Sequence, residues 1–502
     1  MPIFSGHSEL VIFKGFVRVR HLMKKTLLLN PPSFDNFDGG AGARWPSTRE
    51  TFSFWYPIWL AYPAGLIEGS RLLDAPPAGL GFKETVKIAK DYDMVAIFTS
   101  SAGYVQDLKL ARMMKEERPD QTMVFVGPHA DVLADKILKE VSWIDAVVRK
   151  EMDYTLLELA QDRPFKDILG LSWREKSGNV IHNAERPLMK DLDALPWVSD
   201  IYKRDLDIYK YNLPYAAYPY VSIYTTRGCP ASCTFCLWPQ TMAGHLWRKR
   251  SSDNVVAEML HIRKIFPEVK EIVIDDDTFT IDTKRVVELC EKMKPHNFSW
   301  MCNARTTASW ESLKAMKEAG CHRVDVGFET GDDQILKNIK KGSDVATARN
   351  FVKMCKELGI AIHGDFVVGL PGETPDTIEK SIRFAKELDL ETIQVSIAQP
   401  LVGTEMYNEA KANGTLIEEI AGEDGFQEAA INYGPDLSRE AIFKAVEHFY
   451  NSYYYRPKVI WRFLRKAMTS REEMKRLYLE AKGFFTWKSQ RKKSFAKMNA
   501  VV

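Results

Sequence analysis

Val221-Ser-Ile-Tyr-Thr-Thr-Arg-Gly-Cys-Pro-Ala-Ser-Cys-Thr-Phe-Cys236 runs from an apolar strand into a loop that carries Cys229, Cys233 and Cys236 within eight residues. Three thiolates this close repel one another unless a cation balances them. A cubane iron-sulfur cluster held by three cysteines does so and leaves one iron open to a ligand. Zinc is the alternative, but a structural zinc site uses four ligands, and no second Cys pair or His partner is nearby. Cys290 and Cys355 fall on helical faces and read as core thiols, while Cys302 and Cys321 carry no assignment. Seven cysteines, an odd number with three bunched together, point to a reducing compartment and a metal.

Downstream of the triplet, strand-like runs at 271–275, 298–303, 323–328, 361–368 and 392–398 alternate with periodic helices at 253–265, 284–293, 310–319, 346–358 and 377–388. With 221–226 these make six β/α units, which predicts a partial (β/α)6 barrel over 215–420 and puts the cysteine loop at its C-terminal mouth. Upstream, 25–161 alternates in the same way with continuous apolar strands, which predicts a doubly wound parallel sheet. Its ligand-facing strand ends fall near 30–32, Ser100-Ser101, Gly127-Pro128-His129 and 149–151. Residues 162–214 read as a hairpin connector and 421–502 as a helical region. Residues 1–24 read as a weakly ordered extension, with Met23 a possible true start and no signal-peptide cleavage site.

The 502 residues are too many for one core, and 69 Lys+Arg against 67 Asp+Glu exclude a generalised nucleic-acid-binding charge. No uncharged apolar run reaches a membrane span. Charge is local instead: from Arg456 to Val502 there are fourteen Lys+Arg and three Glu, interleaved with Trp461, Phe463, Tyr478, Phe484, Phe485, Trp487 and Phe495. That pattern fits an interfacial helix on anionic lipid or a packed helix with a solvated basic face; RNA binding is a third alternative, which no RNA-binding motif supports. Trp247-Arg-Lys-Arg250 reads as a solvated basic stretch, and Asp253 as the cap of the helix after it.

Several acids and one arginine end barrel strands: Asp275-Asp276-Asp277, Arg305 and Glu329. Adjacent like charges there need cations or donors, although turn-shaping, a structural cap or a surface ion pair are the alternatives. Gly364-Asp-Phe-Val-Val-Gly-Leu-Pro-Gly-Glu-Thr374 reads as a structural strand-to-helix turn, with Thr374 an N-cap and no capping-box glutamate at Thr377.

The Cys-x-x-x-Cys-x-x-Cys spacing, its place after the first barrel strand and Phe235 before the last cysteine resemble the radical SAM superfamily. The resemblance implies a [4Fe-4S] cluster on the three cysteines and S-adenosylmethionine (SAM) chelated at the open iron. An electron would cleave its sulfonium to a 5'-deoxyadenosyl radical. Phe235, Asp275 to Asp277, Arg305 and Glu329 would then bind cofactor, with Glu329 acting beside the cysteines in catalysis.

The domain order resembles the cobalamin-binding-domain class of that superfamily. Ser100, Ser101, Gly127 and His129 are the candidates for that cofactor. No histidine follows an Asp-x-His pattern, which implies either cobalamin bound base-off without histidine or a domain that has lost it; retained binding is favoured. Segments 29–44, 53–57 and 74–77 resemble the hopanoid-biosynthesis proteins of the HpnJ type. That likeness implies ring contraction of a glucosamine-bearing bacteriohopanetetrol. Further expectations are an electron donor such as ferredoxin or flavodoxin, a cytoplasmic location with peripheral membrane contact through the basic, aromatic 456–502, and, from the charge balance, no nucleic-acid partner. The alternatives are a cobalamin-dependent methyltransferase and a non-catalytic iron-sulfur carrier.

Overall fold

A computed structural model describes residues 8–13, 16–21, 23–33, 37–38, 47–48, 53–417, 430–434, 437–469 and 471–499. The first sheet contains β1 (Thr26–Asn30), β2 (Arg71–Asp74), β3 (Met94–Phe98), β4 (Thr122–Val126), β5 (Ala146–Val148), β6 (Leu171–Arg174) and β7 (Val180–His182). Its spatial order is β7-β6-β5-β4-β3-β1-β2. The first five strands are mutually parallel, as the alternating pattern predicts, and β6 and β7 are antiparallel additions. The hairpin read as a connector is therefore part of this sheet: Leu171 to Trp173 pairs with Val148 to Ala146.

The continuous apolar strands are buried on both faces. Leu27, Leu29, Val95, Ile97, Met123 and Phe125 point into a core local to this unit. Leu28, Ala96, Val124 and Val126 point the other way, into a core shared with helix Ile58–Leu66 and the barrel. Strand alternation thus gives one sheet face to the outer helices and the other to the second unit.

The second sheet is β8 (Tyr220–Ile223), β9 (Glu271–Ile274), β10 (Trp300–Asn303), β11 (Cys321–Glu329), β12 (Ala361–Val368) and β13 (Thr392–Ile397), parallel and in sequence order. Six strands leave two edges. Helix Arg439–Tyr454 covers the β13 edge with tyrosines: Val395 N donates to Tyr450 Oη at 2.8 Å and Ile393 N to Tyr454 Oη at 2.9 Å. These hydroxyls satisfy donors that a closed barrel would give to a seventh strand.

Ser8–Phe13 and Phe16–His21 pair as an antiparallel hairpin within residues 1–24. Three sequence expectations change. Ser251, not Asp253, caps helix Ser252–Ile265, while Asp253 pairs with Lys292. Arg248 and Arg250 are buried rather than solvated, held by Glu151 and Glu258. Helix Pro375–Leu388 does have a capping box, since the Thr377 hydroxyl does the work of the absent glutamate. The segment 29–44 lies largely outside the described residues.

The tail forms helices Pro457–Ala467 and Arg471–Asn499, with both buried and exposed aromatic residues. Trp487 and Arg491 are buried against helix Arg439–Tyr454, whereas Trp461, Leu464, Met468, Tyr478 and Phe485 are exposed. Among the described residues no helix is long and apolar enough to cross a membrane.

Candidate active site

Cys229, Cys233, Phe235 and Cys236 line a cavity of roughly 260 Å³ at the C-terminal mouth of the barrel. Three local devices hold their loop. Gly228 has φ +86°, and a Cβ there would lie 2.3 Å from the Leu246 carbonyl oxygen, so only glycine fits before Cys229. Gln240 donates through Nε2 to the carbonyls of Cys233, Thr234 and Cys236 at 3.2, 3.2 and 2.7 Å and accepts from Glu405 N at 2.8 Å. Arg227 anchors the loop to the first unit by a bidentate pair with Asp153 at 2.7 and 3.1 Å.

Burial pushes the Cys229 and Cys236 thiols up, and the neighbouring Cys233 and Asp277 add to it. Such thiols become good ligands only when a cation lowers them again, so the donor set fits a cluster held by three thiolates. The remaining cysteines are buried away from the cavity, Cys290 and Cys355 among them as their helical positions predict.

Of the three consecutive aspartates, Asp277 lines the cavity. Asp276 is fully buried and accepts from Thr225 N at 2.6 Å, Thr225 Oγ1 at 2.5 Å and Thr226 N at 3.0 Å. It therefore pins the end of β8 and does not line the cavity. Asp275 accepts from Asn303 Nδ2 at 3.0 Å. Neither lines the cavity, where the sequence reading put all three: they follow β9, which ends at Ile274, and of this non-strand segment Asp277 faces the lumen.

Arg305 lines the cavity and donates to the Lys341 carbonyl. Glu329 lines it too and adopts φ +63°, a left-handed conformation rare for a residue with a side chain. Its carboxylate meets Lys341 Nζ. Burial would lower the Lys341 ammonium, but Glu329 and Cys233 outweigh it and the group is raised. Lys341 and Gln240 were not singled out from sequence; the only signal for the lysine is a Lys-Lys-Gly turn after a short helix.

The four residues proposed for the first unit's ligand have local partners. Ser101 Oγ lies 3.1 Å from His129 Nδ1, and Ser100 Oγ accepts from Gly103 N at 3.3 Å. Gly127 has φ +102°, and a Cβ there would meet the Thr99 carbonyl at 2.7 Å, so backbone crowding accounts for that glycine. His129 Nε2 is buried without a partner. Glu151, at another strand end, is taken by Arg248 at 2.7 and 2.9 Å.

A second, apolar cavity of roughly 690 Å³ adjoins the first, with Trp55, Tyr215 and Gln394 lining both. Tyr450, Tyr454, Phe463, Phe484 and Phe485 of the C-terminal helices form its outer wall.

Comparison with known proteins agrees with this geometry. The radical SAM superfamily model matches residues 223–385. An uncharacterized methyltransferase of Pyrococcus horikoshii is 31% identical over 448 residues, covering 87% of this chain and 94% of that protein. Cytidylyl-2-hydroxyethylphosphonate methyltransferase of Streptomyces wedmorensis is 29% identical, covering 72% of this chain and 79% of its own. The radical SAM methyltransferase TsrM from Kitasatospora setae, solved with cobalamin and a [4Fe-4S] cluster, shares the fold. It has a TM-score of 0.59 at 16% identity, over 78% of this chain and 75% of that one. With a three-cysteine loop at the mouth of a six-stranded partial barrel and a relative matched over nearly its whole length, the chain belongs to the radical SAM superfamily.

Proposed function

We propose that the chain is a cobalamin-dependent radical SAM methyltransferase. The observation that carries this reading is the 31% identity to a methyltransferase across 94% of that relative, since it spans both units and not the barrel alone. TsrM, solved with cobalamin and a [4Fe-4S] cluster, shares the fold of both units. In such an enzyme the cluster supplies the electron that cleaves SAM, and the corrinoid carries the methyl group.

This chain's residues then have separable tasks. Cys229, Cys233 and Cys236 ligate the cluster. Asp277 and Glu329, which line the cavity, would meet the cationic and hydroxyl groups of SAM, and Arg305 its carboxylate. The buried Arg227–Asp153 and Arg248–Glu151 pairs hold the two units in register at the mouth, where Phe235, Leu237 and Trp238 keep water out.

Ring contraction of a hopanoid head group, expected from the resemblance, gains no support from these relatives, and methyl transfer takes its place. A substrate with an apolar body is supported separately by the 690 Å³ cavity. The exposed Trp461, Leu464 and Met468 in a basic segment support peripheral membrane contact.

The test is anaerobic turnover of reconstituted protein with SAM, reductant and hydroxocobalamin. S-adenosylhomocysteine formed in step with a substrate heavier by one methyl supports the reading. Deoxyadenosine without S-adenosylhomocysteine, or no retained corrinoid, overturns it.

A further inference from the structure

Asp325 on β11 and His363 and Asp365 on β12 stand side by side because the two parallel strands pair Asp325 with His363 directly. Their ligand atoms all lie within 4.8 Å of one another. Both aspartates line the active-site cavity, and Asp365 keeps 38% of its side-chain surface, so a small ligand can reach it. His363 is 95% buried, and its Nε2, 3.6 Å from Asp365 Oδ1, has no hydrogen-bond partner.

The surroundings orient these three groups. His363 Nδ1 lies 2.6 Å from Thr392 Oγ1; with Nδ1–H donating there, Nε2 presents its lone pair toward the carboxylates. The Tyr215 ring stacks on the imidazole at 4.2 Å, and Tyr215 Oη donates to Asp325 Oδ2 at 3.0 Å. Lys341, the lysine facing this end of the cavity, is held by Glu329.

A buried carboxylate and a half-buried one side by side at the cavity wall repel each other unless a proton or a cation lies between them. A shared proton would pair the carboxylates but leave the His363 lone pair unsatisfied. A cation satisfies all three. One imidazole and two carboxylates, with Thr392 and Tyr215 fixing the orientation of His363 and Asp325, is a ligand set for a first-row divalent ion.

We propose that Asp325, His363 and Asp365 bind a divalent cation on the wall of the active-site cavity, separate from the cysteine loop. Its remaining coordination positions face the lumen and take an oxygen or nitrogen of the substrate. The ion would thereby position the molecule opposite the cluster. The site stands on this geometry whether the reaction is methyl transfer or not.

Manganese(II) is the probe. Holoenzyme with its cluster in the EPR-silent resting state, freed of adventitious metal, is titrated with Mn2+ while the six-line signal of the free ion is recorded. The proposal expects one Mn2+ per chain for the wild type. Asp325→Asn and His363→Leu should lose that binding with cluster content and far-UV circular dichroism unchanged. Thr392→Val, which keeps all three ligands, should bind one Mn2+ about tenfold more weakly. No bound Mn2+ in the wild type, or equal binding in Asp325→Asn, His363→Leu and Thr392→Val, overturns it. Because the readout is metal binding, failure here leaves the methyltransferase test unaffected, and the reverse holds.

Discussion

Replacing Arg227 with methionine should be among the most damaging single changes outside the cysteine loop. Arg227 is 2% exposed and Asp153 1%, joined by two hydrogen bonds at 2.7 and 3.1 Å. The guanidinium also sits 4.7 Å from the Trp59 ring centre and 4.6 Å from that of Tyr62. Methionine recovers much of the packing against those rings but none of the charge. Glu151 keeps Arg248, so the loss concentrates on Asp153, left as a buried carboxylate without a partner. Breaking a buried pair from one side costs about 3 to 5 kcal/mol, and losing the cation–π contacts adds roughly 0.5 to 1 kcal/mol. Removing both charges differs, since a buried pair replaced by apolar groups is often neutral. Arg227→Met should therefore lose about 4 kcal/mol in anaerobic urea denaturation, and Arg227→Met/Asp153→Leu should regain all but about 1 kcal/mol of it. Iron per chain should fall in the single variant, because Arg227 stands two residues before Cys229. A single variant within about 1 kcal/mol of wild type, or a double variant as unstable as the single, would refute the reasoning.

Other consequences follow from the same geometry. Gln240→Leu removes three hydrogen bonds to the cysteine-loop carbonyls and one from Glu405 N, and should cost about 2 to 4 kcal/mol and lower reconstituted iron; unchanged iron would sink that role. Tyr450→Phe leaves Val395 N without an acceptor at the β13 edge and should cost about 1 to 3 kcal/mol in thermal or urea unfolding. Burial pushes the Asp107 carboxyl up to about 8, opposed by the Thr99 hydroxyl, against 3.8 when unfolded. A raised carboxyl contributes stability that is complete below about pH 4 and is lost as the pH rises toward 8. Wild type should therefore lose stability relative to Asp107→Asn between about pH 5 and 8, and parallel pH profiles would contradict this.

Much of this protein is legible without its coordinates. The cysteine spacing singled out three thiols that the fold brings to one cavity, because a triplet that close in the chain stays together in space. The alternation of apolar strands and periodic helices specified two parallel sheets, because burial on both faces leaves a continuous apolar run in each strand. What tertiary structure alone decided is everything that depends on direction or on distant partners. Asp275, Asp276 and Asp277 are equivalent as letters, yet the segment after β9 sends Asp277 to the cavity and Asp276 to the backbone of a neighbouring strand end. Arg248 reads as a solvated charge until Glu151, 97 positions away, is brought to 2.7 Å. Asp325 and His363 become neighbours only through the register of β11 on β12. Local chemistry is written in spacing, whereas long-range pairing is set by which sheet faces meet, and no local pattern carries that information.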